Sequence, residues 1–589
     1  MEKTSRNQII LLILILAIAA FFRFYKLTEV PPGLYPDVAI NGNDAATALA
    51  NHNFRVFYPE NNGREGLFIN AIAVGFAFFG ISVWSIKIVA AIIGFLTVLG
   101  LYLMLKELFR GKKQSNLIAL LSSFFLAASF WHILFSRIGF RAIMVPFFLV
   151  WGFYCLFKAM RMMRIEHTND ANKFRRDTRL ILHTLYFILS GVLFGLGFHT
   201  YISYRVVPAI WMIVLLIEIY KQGLSERSAH YNYWPRLKAR ITNYDLRFTN
   251  RIKNIFIGDG WWFWGICLLA IIFAALPIVL YFYHNPQDFM GRSTQVSIFA
   301  SENPVKQLAV NTVKTLGMFN VSGDCNWRHN YACQPEIFWP VGILFLIGLA
   351  TAFKQFFEGL FLLKRQKTDN NQNIGWSSAQ ISLFLLTWFF SLLLPEILSS
   401  EGLPHSLRAI GAIPPVFIFS GMGGAWLIEK FRTQGHRFRT VKNIAITTFL
   451  LVVLAHTYNY YFIDWGKNPE VQGAYTQHFV DIGNYLNGLP ADAKKYVIVN
   501  EGGVPVPFPD GIPMPAQTIM FITHGTPNIA YLKPEQLQSV TGKSTIVLMK
   551  YDKNILNQLQ EMFPEGKILD QKDIWSFEVN PKHEIRNPK

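Results

Sequence analysis

Apolar runs long enough to cross a bilayer recur along this chain, and no other feature limits its fold as much. They are Ile9 to Phe22, Leu117 to Phe135, Leu180 to Phe198, Trp261 to Tyr283, Ile337 to Phe353, Ile381 to Leu394, Ala409 to Ile428 and Ile444 to Phe462. Each is near the ~20 residues that carry a helix through ~30 Å of hydrocarbon. Backbone groups in lipid must pair internally, so such runs imply helices and not strands. A chain of 589 residues that is 52% hydrophobic and 16% charged is also too apolar for a soluble protein.

A net charge of +18 suggests nucleic acid, but its distribution does not. With the amino terminus inside and a crossing at each run, the inside segments are the terminus and the stretches near 106–113, 158–179, 218–259, 354–369 and 429–442. These hold more than half of the Lys and Arg but only about a third of the acids, the asymmetry that sets orientation in a membrane. The expected fold is a polytopic α-helical membrane protein with about eleven crossings, in the plasma (inner) membrane. Its amino terminus is cytoplasmic, and a small α/β domain at its carboxyl end is extracytoplasmic. The basic loops then contact anionic lipid headgroups, and no nucleic-acid partner is needed. Lys3, Arg6 and Ala17 to Ala19 loosely match a cleaved signal, but ten further crossings favour a retained first helix.

Two parts follow, a membrane module over 1–461 and an outer domain over 462–589. Within the module, residues 27–83 form a first outer loop and 284–335 a second. Gly66 to Gly80 is apolar but short, and reads as a helix at the interface. The basic, aromatic-dotted stretch Lys221 to Lys253 reads as an interfacial helix on the inside. In the tail, Tyr475, Phe479, Ile482, Leu486 and Leu489 recur at helical spacing before Pro490. Strands are expected over Tyr496 to Val499, Thr518 to Ile522 and Thr545 to Met549, a helix over Asn554 to Met562, and strands near Ile568 and Trp575.

Asp37, in the first outer loop behind Pro31, Pro32 and Gly33, is the leading candidate for a general base. A carboxylate just outside the bilayer can take a proton from an acceptor hydroxyl while the donor keeps its tail in lipid. Basic residues recur at separate outer turns: Arg137 and Arg141; His199 and Arg205; Arg328 and His329; His405 and Arg408. Arginine suits a phosphate held through several oxygens, so Arg137, Arg141, Arg205, His405 and Arg408 are expected to converge on one. Charges at membrane-helix ends are functional candidates by default, and Glu65, His199, Arg328 and His329 complete that set. No Asp-x-Asp pair occurs among the outer acids. For a metal, the sequence offers Glu65 with His329, one acid and one histidine from distant loops. Cys325 and Cys333 share an outer loop and are expected to form a disulfide in an oxidising compartment.

Several stretches together resemble one family. They are Pro31 to Ala45, Asn61 to Phe68 leading to Phe79 to Lys87, Ser136 to Arg141, His199 to Pro208, Asn326 to Tyr331, and His405 to Pro415. In order and topology, over roughly residues 8–460, the chain resembles a bacterial GT-C glycosyltransferase. That polyprenyl-phosphate-sugar-dependent class includes protein O-mannosyltransferases and lipid A aminoarabinose transferases. The resemblance implies inverting transfer from a polyprenyl-phosphate-sugar donor to an acceptor protein, lipid or glycan, with Asp37 at the position of the family's base. The family usually has Glu directly after that Asp; here Val38 follows, so the second acid's role does not carry over. The tail resembles nothing named. The rival readings are a transporter or flippase for lipid-linked sugars, and a receptor or assembly scaffold.

Overall fold

The computed structural model describes residues 6–166, 173–231, 261–295, 297–300, 302–364, 376–431, 436–507, 511–571 and 573–579. Among them, ten helices are long and apolar enough to cross a membrane. The chain begins with α1 (Arg6–Phe24) and α2 (Pro36–Asn51). A hairpin of β1 (Phe57–Tyr58) and β2 (Arg64–Glu65) follows, then α3 (Leu67–Phe79), α4 (Val83–Leu108) and α5 (Ser115–Ala127). Most of the expected basic interfacial helix, residues 232–253, lies outside the described residues.

One of the eleven expected crossings, Leu117 to Phe135, is broken. Helix α5 ends at Ala127, and a short helix Phe130–Phe135 restarts with Ser129 as its cap, accepting from the His132 amide. A helix that stops inside a packed bundle leaves carbonyls needing donors. Fully buried Arg23, near the end of α1, donates to Leu126 O and Ala127 O, and the Thr457 hydroxyl donates to Ala128 O. The break therefore joins α1, α5 and the helix His436–Tyr458.

At the centre of the bundle, Trp339–Lys364 and Ile413–Lys430 cross at close range. A Cβ on Gly348 would fall 1.8 Å from Phe419 O, and one on Gly423 would fall 2.0 Å from Leu344 O. Small residues let helix backbones approach where no water drives association.

The first outer loop is more ordered than the sequence suggests. Asp37 is not in a loop but in the first turn of α2. Pro36 supplies the fixed φ of a first helical residue. The Asn41-Gly42-Asn43-Asp44 run reads as a turn, yet it is helical because both sides are packed. Val38, Ala39, Ile40, Ala45 and Ala46 are buried, and the Phe521 ring lies where a Cβ on Gly42 would sit, 2.6 Å away. Helix α3 has 13 residues, about 20 Å at 1.5 Å per residue, too short for ~30 Å of hydrocarbon. The segment from α2 to α3 thus stays at one end of the bundle.

The last membrane helix runs on through a π-helical turn to Trp465, past the expected boundary at 461. Beyond it the tail forms a five-stranded sheet. Its strands are β3 (Lys494–Ile498), β6 (Ile529–Leu532), β7 (Ser544–Leu548), β8 (Lys567–Gln571) and β9 (Ile574–Val579), with a side hairpin of β4 (Pro505–Val506) and β5 (Ile512–Pro513). The order is β6-β3-β7-β9-β8, with β6, β3 and β7 parallel and β9 antiparallel to both neighbours. The strand expected over Thr518 to Ile522 is instead a helix, Ala516–Ile522. Its β-branched and aromatic residues fit between α2 and the helix Gln477–Gly488, and that packing overrides local propensity.

Candidate functional site

The tail roofs α2. The Thr476 and Thr518 hydroxyls both donate to Leu34 O, at 3.1 and 2.8 Å, and Asn43 Nδ2 donates to Gln517 Oε1 at 2.8 Å. The Tyr475 hydroxyl donates to Arg328 O at 2.8 Å, and Trp465 Nε1 donates to Trp327 O at 3.2 Å. One roof thus fixes both the start of α2 and the cysteine loop.

Under that roof, Asp37 Oδ1 accepts from Asn61 Nδ2 at 2.8 Å. Asn61 and Asn62 have φ of 53° and 61°, and Gly63 of 84°. Asn and Gly tolerate this left-handed backbone best, and it closes the hairpin that brings Asn61 to Asp37. Buried Arg64 ties the hairpin to α2, donating to Asn41 Oδ1 at 2.9 Å and pairing with Asp44 at 2.6 Å. Asn61 is a site residue that the sequence does not single out; its one readable signal is Asn-Asn-Gly, which favours left-handed backbone.

Two sets of charged groups flank Asp37. On the first, Arg141 Nε donates to Glu65 Oε2 at 2.9 Å, four residues beyond Asn61, and the guanidinium lies 5.5 Å from the Tyr201 ring centre. His199 and Arg205 lie within electrostatic reach of Glu65. Burial lowers the His199 pKa, although the Ala274 carbonyl and the Glu65 charge pull it up. Arg205 donates to Phe289 O and stacks 4.1 Å from that ring.

On the second, the Arg328 guanidinium lies 4.1 Å from the Tyr35 ring centre, two residues before Asp37. Burial raises the Tyr35 phenol pKa, the Asp37 charge adds to the rise, and Arg328 opposes it. His329 Nδ1 sits 3.1 Å from Asp324 Oδ2, and His405 Nδ1 sits 3.8 Å from the same oxygen. Two buried acids hold these loops together. Glu336 Oε1 accepts from the Asp324 amide and the Ser406 hydroxyl, and Glu396 Oε1 accepts from the His405 amide. Burial pushes the Glu336 carboxyl well above its usual range, against the pull of its two donors. Arg408 donates to Glu401 O.

Two expectations change. Arg137 is not available to a phosphate. It is fully buried, and it donates to Phe22 O at 2.9 Å, Lys26 O at 2.8 Å, and Val30 O through Nε at 3.1 Å and a second nitrogen at 2.8 Å. Its flat face covers Tyr461 and Phe462. Among the described residues no shared partner joins it to Arg205 or Arg408. The suggested metal pair of Glu65 and His329 also gives way. Glu65 is paired with Arg141, and the acid facing His329 is Asp324 from its own loop.

Cys325 and Cys333 are joined by a disulfide, with Cα atoms 4.0 Å apart. Their serine double variant is expected to lose roughly 2–3 kcal/mol, on the entropic account of so short a loop. A lowered midpoint in a thermal scan, reproduced in wild type by reductant, is the check. An unchanged midpoint would show that Glu336 and the roof hold the loop unaided.

No family model and no curated protein sequence matches this chain. The fold does match solved structures. The crystal structure of ArnT from Cupriavidus metallidurans bound to undecaprenyl phosphate aligns over 97% of this chain and 99% of that one, with a TM-score of 0.53 and 11% identity. The archaeal oligosaccharyltransferase AglB from Archaeoglobus fulgidus, in complex with an inhibitory peptide and a dolichol-phosphate, aligns over 90% and 65%, with a TM-score of 0.46 and 14% identity. The chain is thus a multi-pass membrane protein with a GT-C type fold.

Proposed function

We propose that this chain is an inverting glycosyltransferase that moves a sugar from a polyprenyl-phosphate-linked donor to an acceptor hydroxyl on a protein, lipid or glycan. One observation carries the reading: Asp37 stands at a helix start, held by Asn61, between two cationic sets and beneath the tail. Inversion needs attack on the side opposite the leaving group. Asp37 turned to the acceptor, with cations gathered at the leaving phosphate, meets that need. Asp37 takes the acceptor proton. Arg141, Arg205, His405 and Arg408 hold the leaving phosphate, with His199, Arg328 and His329 in support. Fixed positive groups aimed at developing charge in a water-poor site are the main catalytic device available here. The fold shared with ArnT, whose crystal structure holds undecaprenyl phosphate, supports a lipid phosphate as the donor's chemistry. The disulfide supports an oxidising, extracytoplasmic side for the site and the tail.

The test is transfer in detergent micelles, with a lipid-linked sugar extract as donor and release of free polyprenyl phosphate as readout. Chemistry needs no sealed compartment. Movement of the lipid-linked sugar across sealed vesicles, with no release in micelles, would overturn the reading in favour of a transporter. Within the same assay, Arg141→Lys is expected to weaken donor binding about tenfold or more. A point charge cannot keep both the Glu65 and the Gly63 contacts and still face a phosphate. Unchanged donor affinity in Arg141→Lys would remove that arginine from the phosphate site.

A further inference from the structure

We propose that Asp324, His329 and His405 form a zinc site that pins the cysteine loop to the His405–Arg408 turn. One ligand atom from each lies within 4.8 Å of the others. Both imidazoles direct Nδ1 at the same carboxylate oxygen, at 3.1 and 3.8 Å. A hydrogen bond explains the first approach. The second is too long for one; the His405 ring also packs on the His329 ring, with centres 4.7 Å apart, which keeps both nitrogens beside that oxygen. Zinc bonds of about 2.0–2.2 Å to nitrogen and oxygen set tetrahedral ligand atoms about 3.3 Å apart. Closing atoms that lie within 4.8 Å of one another to that spacing takes shifts of up to about 1.5 Å.

The surroundings are those of a built site. Asp324 and His329 are buried, and His405 keeps 18% of its side chain exposed. The carboxylate is aimed by two backbone amides, Asn326 N on Oδ1 at 2.8 Å and Ser406 N on Oδ2 at 2.9 Å. His329 lies against Phe135 and Phe140, with ring centres 6.0 and 6.2 Å away. The disulfide closes the loop that supplies two of the three ligands. Two imidazoles and one carboxylate suit zinc or a similar first-row cation far better than magnesium or calcium, which prefer oxygen throughout. Three protein ligands leave a fourth position for water or an oxyanion. A cation here fixes Arg328 and Arg408, each one to three residues from a ligand.

The test uses full-length protein in detergent, stripped with chelator and titrated with zinc against a chromophoric competitor. Wild type is expected to bind one zinc per chain with micromolar affinity or tighter, and zinc is expected to raise its melting midpoint. His405→Asn and His329→Gln are each expected to lose at least 100-fold in affinity, and their midpoints should not respond to zinc. Wild type that takes up no zinc, or variants that bind it as wild type does, would overturn the proposal. Metal uptake is read without sugar transfer, so its failure and that of the transferase reading are distinguishable.

Discussion

Asp37→Asn is expected to lower sugar transfer by about 100- to 10,000-fold, the usual consequence of removing a general base. Its melting midpoint and donor affinity should stay close to wild type. Asparagine keeps the shape of the side chain, and its carbonyl can still accept from Asn61 Nδ2. What it loses is the ability to hold the acceptor's proton. The cost to folding is small: a negative charge in the first turn of α2 contributes about 0.3–1 kcal/mol by interaction with the helix dipole. Among the described residues only Asn61 donates to Asp37, which leaves the second oxygen for an acceptor hydroxyl. Initial rates at saturating donor, alongside a donor-binding titration, separate the proton-transfer step from binding. Near-normal turnover by well-folded Asp37→Asn protein would sink the assignment. Glu65 would be a poor replacement, since its carboxylate is occupied by Arg141.

The membrane crossings were legible because hydrocarbon tolerates so few solutions. A run of ~20 apolar residues reads as a helix whose length is set by the bilayer, and only the break in Leu117 to Phe135 departs from that reading. The position of Asp37 was legible as a place in the chain, but not as a helix. Asn41 to Asp44 carries turn chemistry, and only the contacts with Phe521 and the α3 side show that it is overridden. Thr518 to Ile522 failed for the same reason in reverse, a strand-prone segment held helical by its neighbours. The arginines show a different limit. Arg137 and Arg141 lie four residues apart and look alike in sequence. Their roles separate only when the partners are seen, three carbonyls for one and a carboxylate beside Asp37's hairpin for the other. Asp324 was visible as an outer acid, but its link to His405 spans two loops that nothing in the sequence brings together.

Arg137 therefore yields the prediction in which a structural and a functional role part most sharply. Arg137→Met is expected to destabilise the protein by about 3–5 kcal/mol, the range for removing one partner of a buried, hydrogen-bonded charge. Methionine fills much of the volume but donates nothing. The carbonyls of Phe22, Lys26 and Val30 would then be left without their donors where α1 turns toward α2, at about 1–3 kcal/mol for each one stranded from water. Arg137→Lys should rescue only part of the loss, because one ammonium cannot span all three positions that the guanidinium reaches. The thermal midpoint in detergent and the yield of monodisperse protein are the first readouts. Donor affinity per folded molecule is the second, and it is expected to remain near wild type for whatever fraction folds. That pattern is the opposite of the one expected for Arg141→Lys. If Arg137→Met kept its midpoint but lost donor binding, its buried contacts would be incidental and the guanidinium would belong to the phosphate site. The turn from α1 into α2 would then have to be held by other groups, and the separation between the two arginines drawn from their partners would fail.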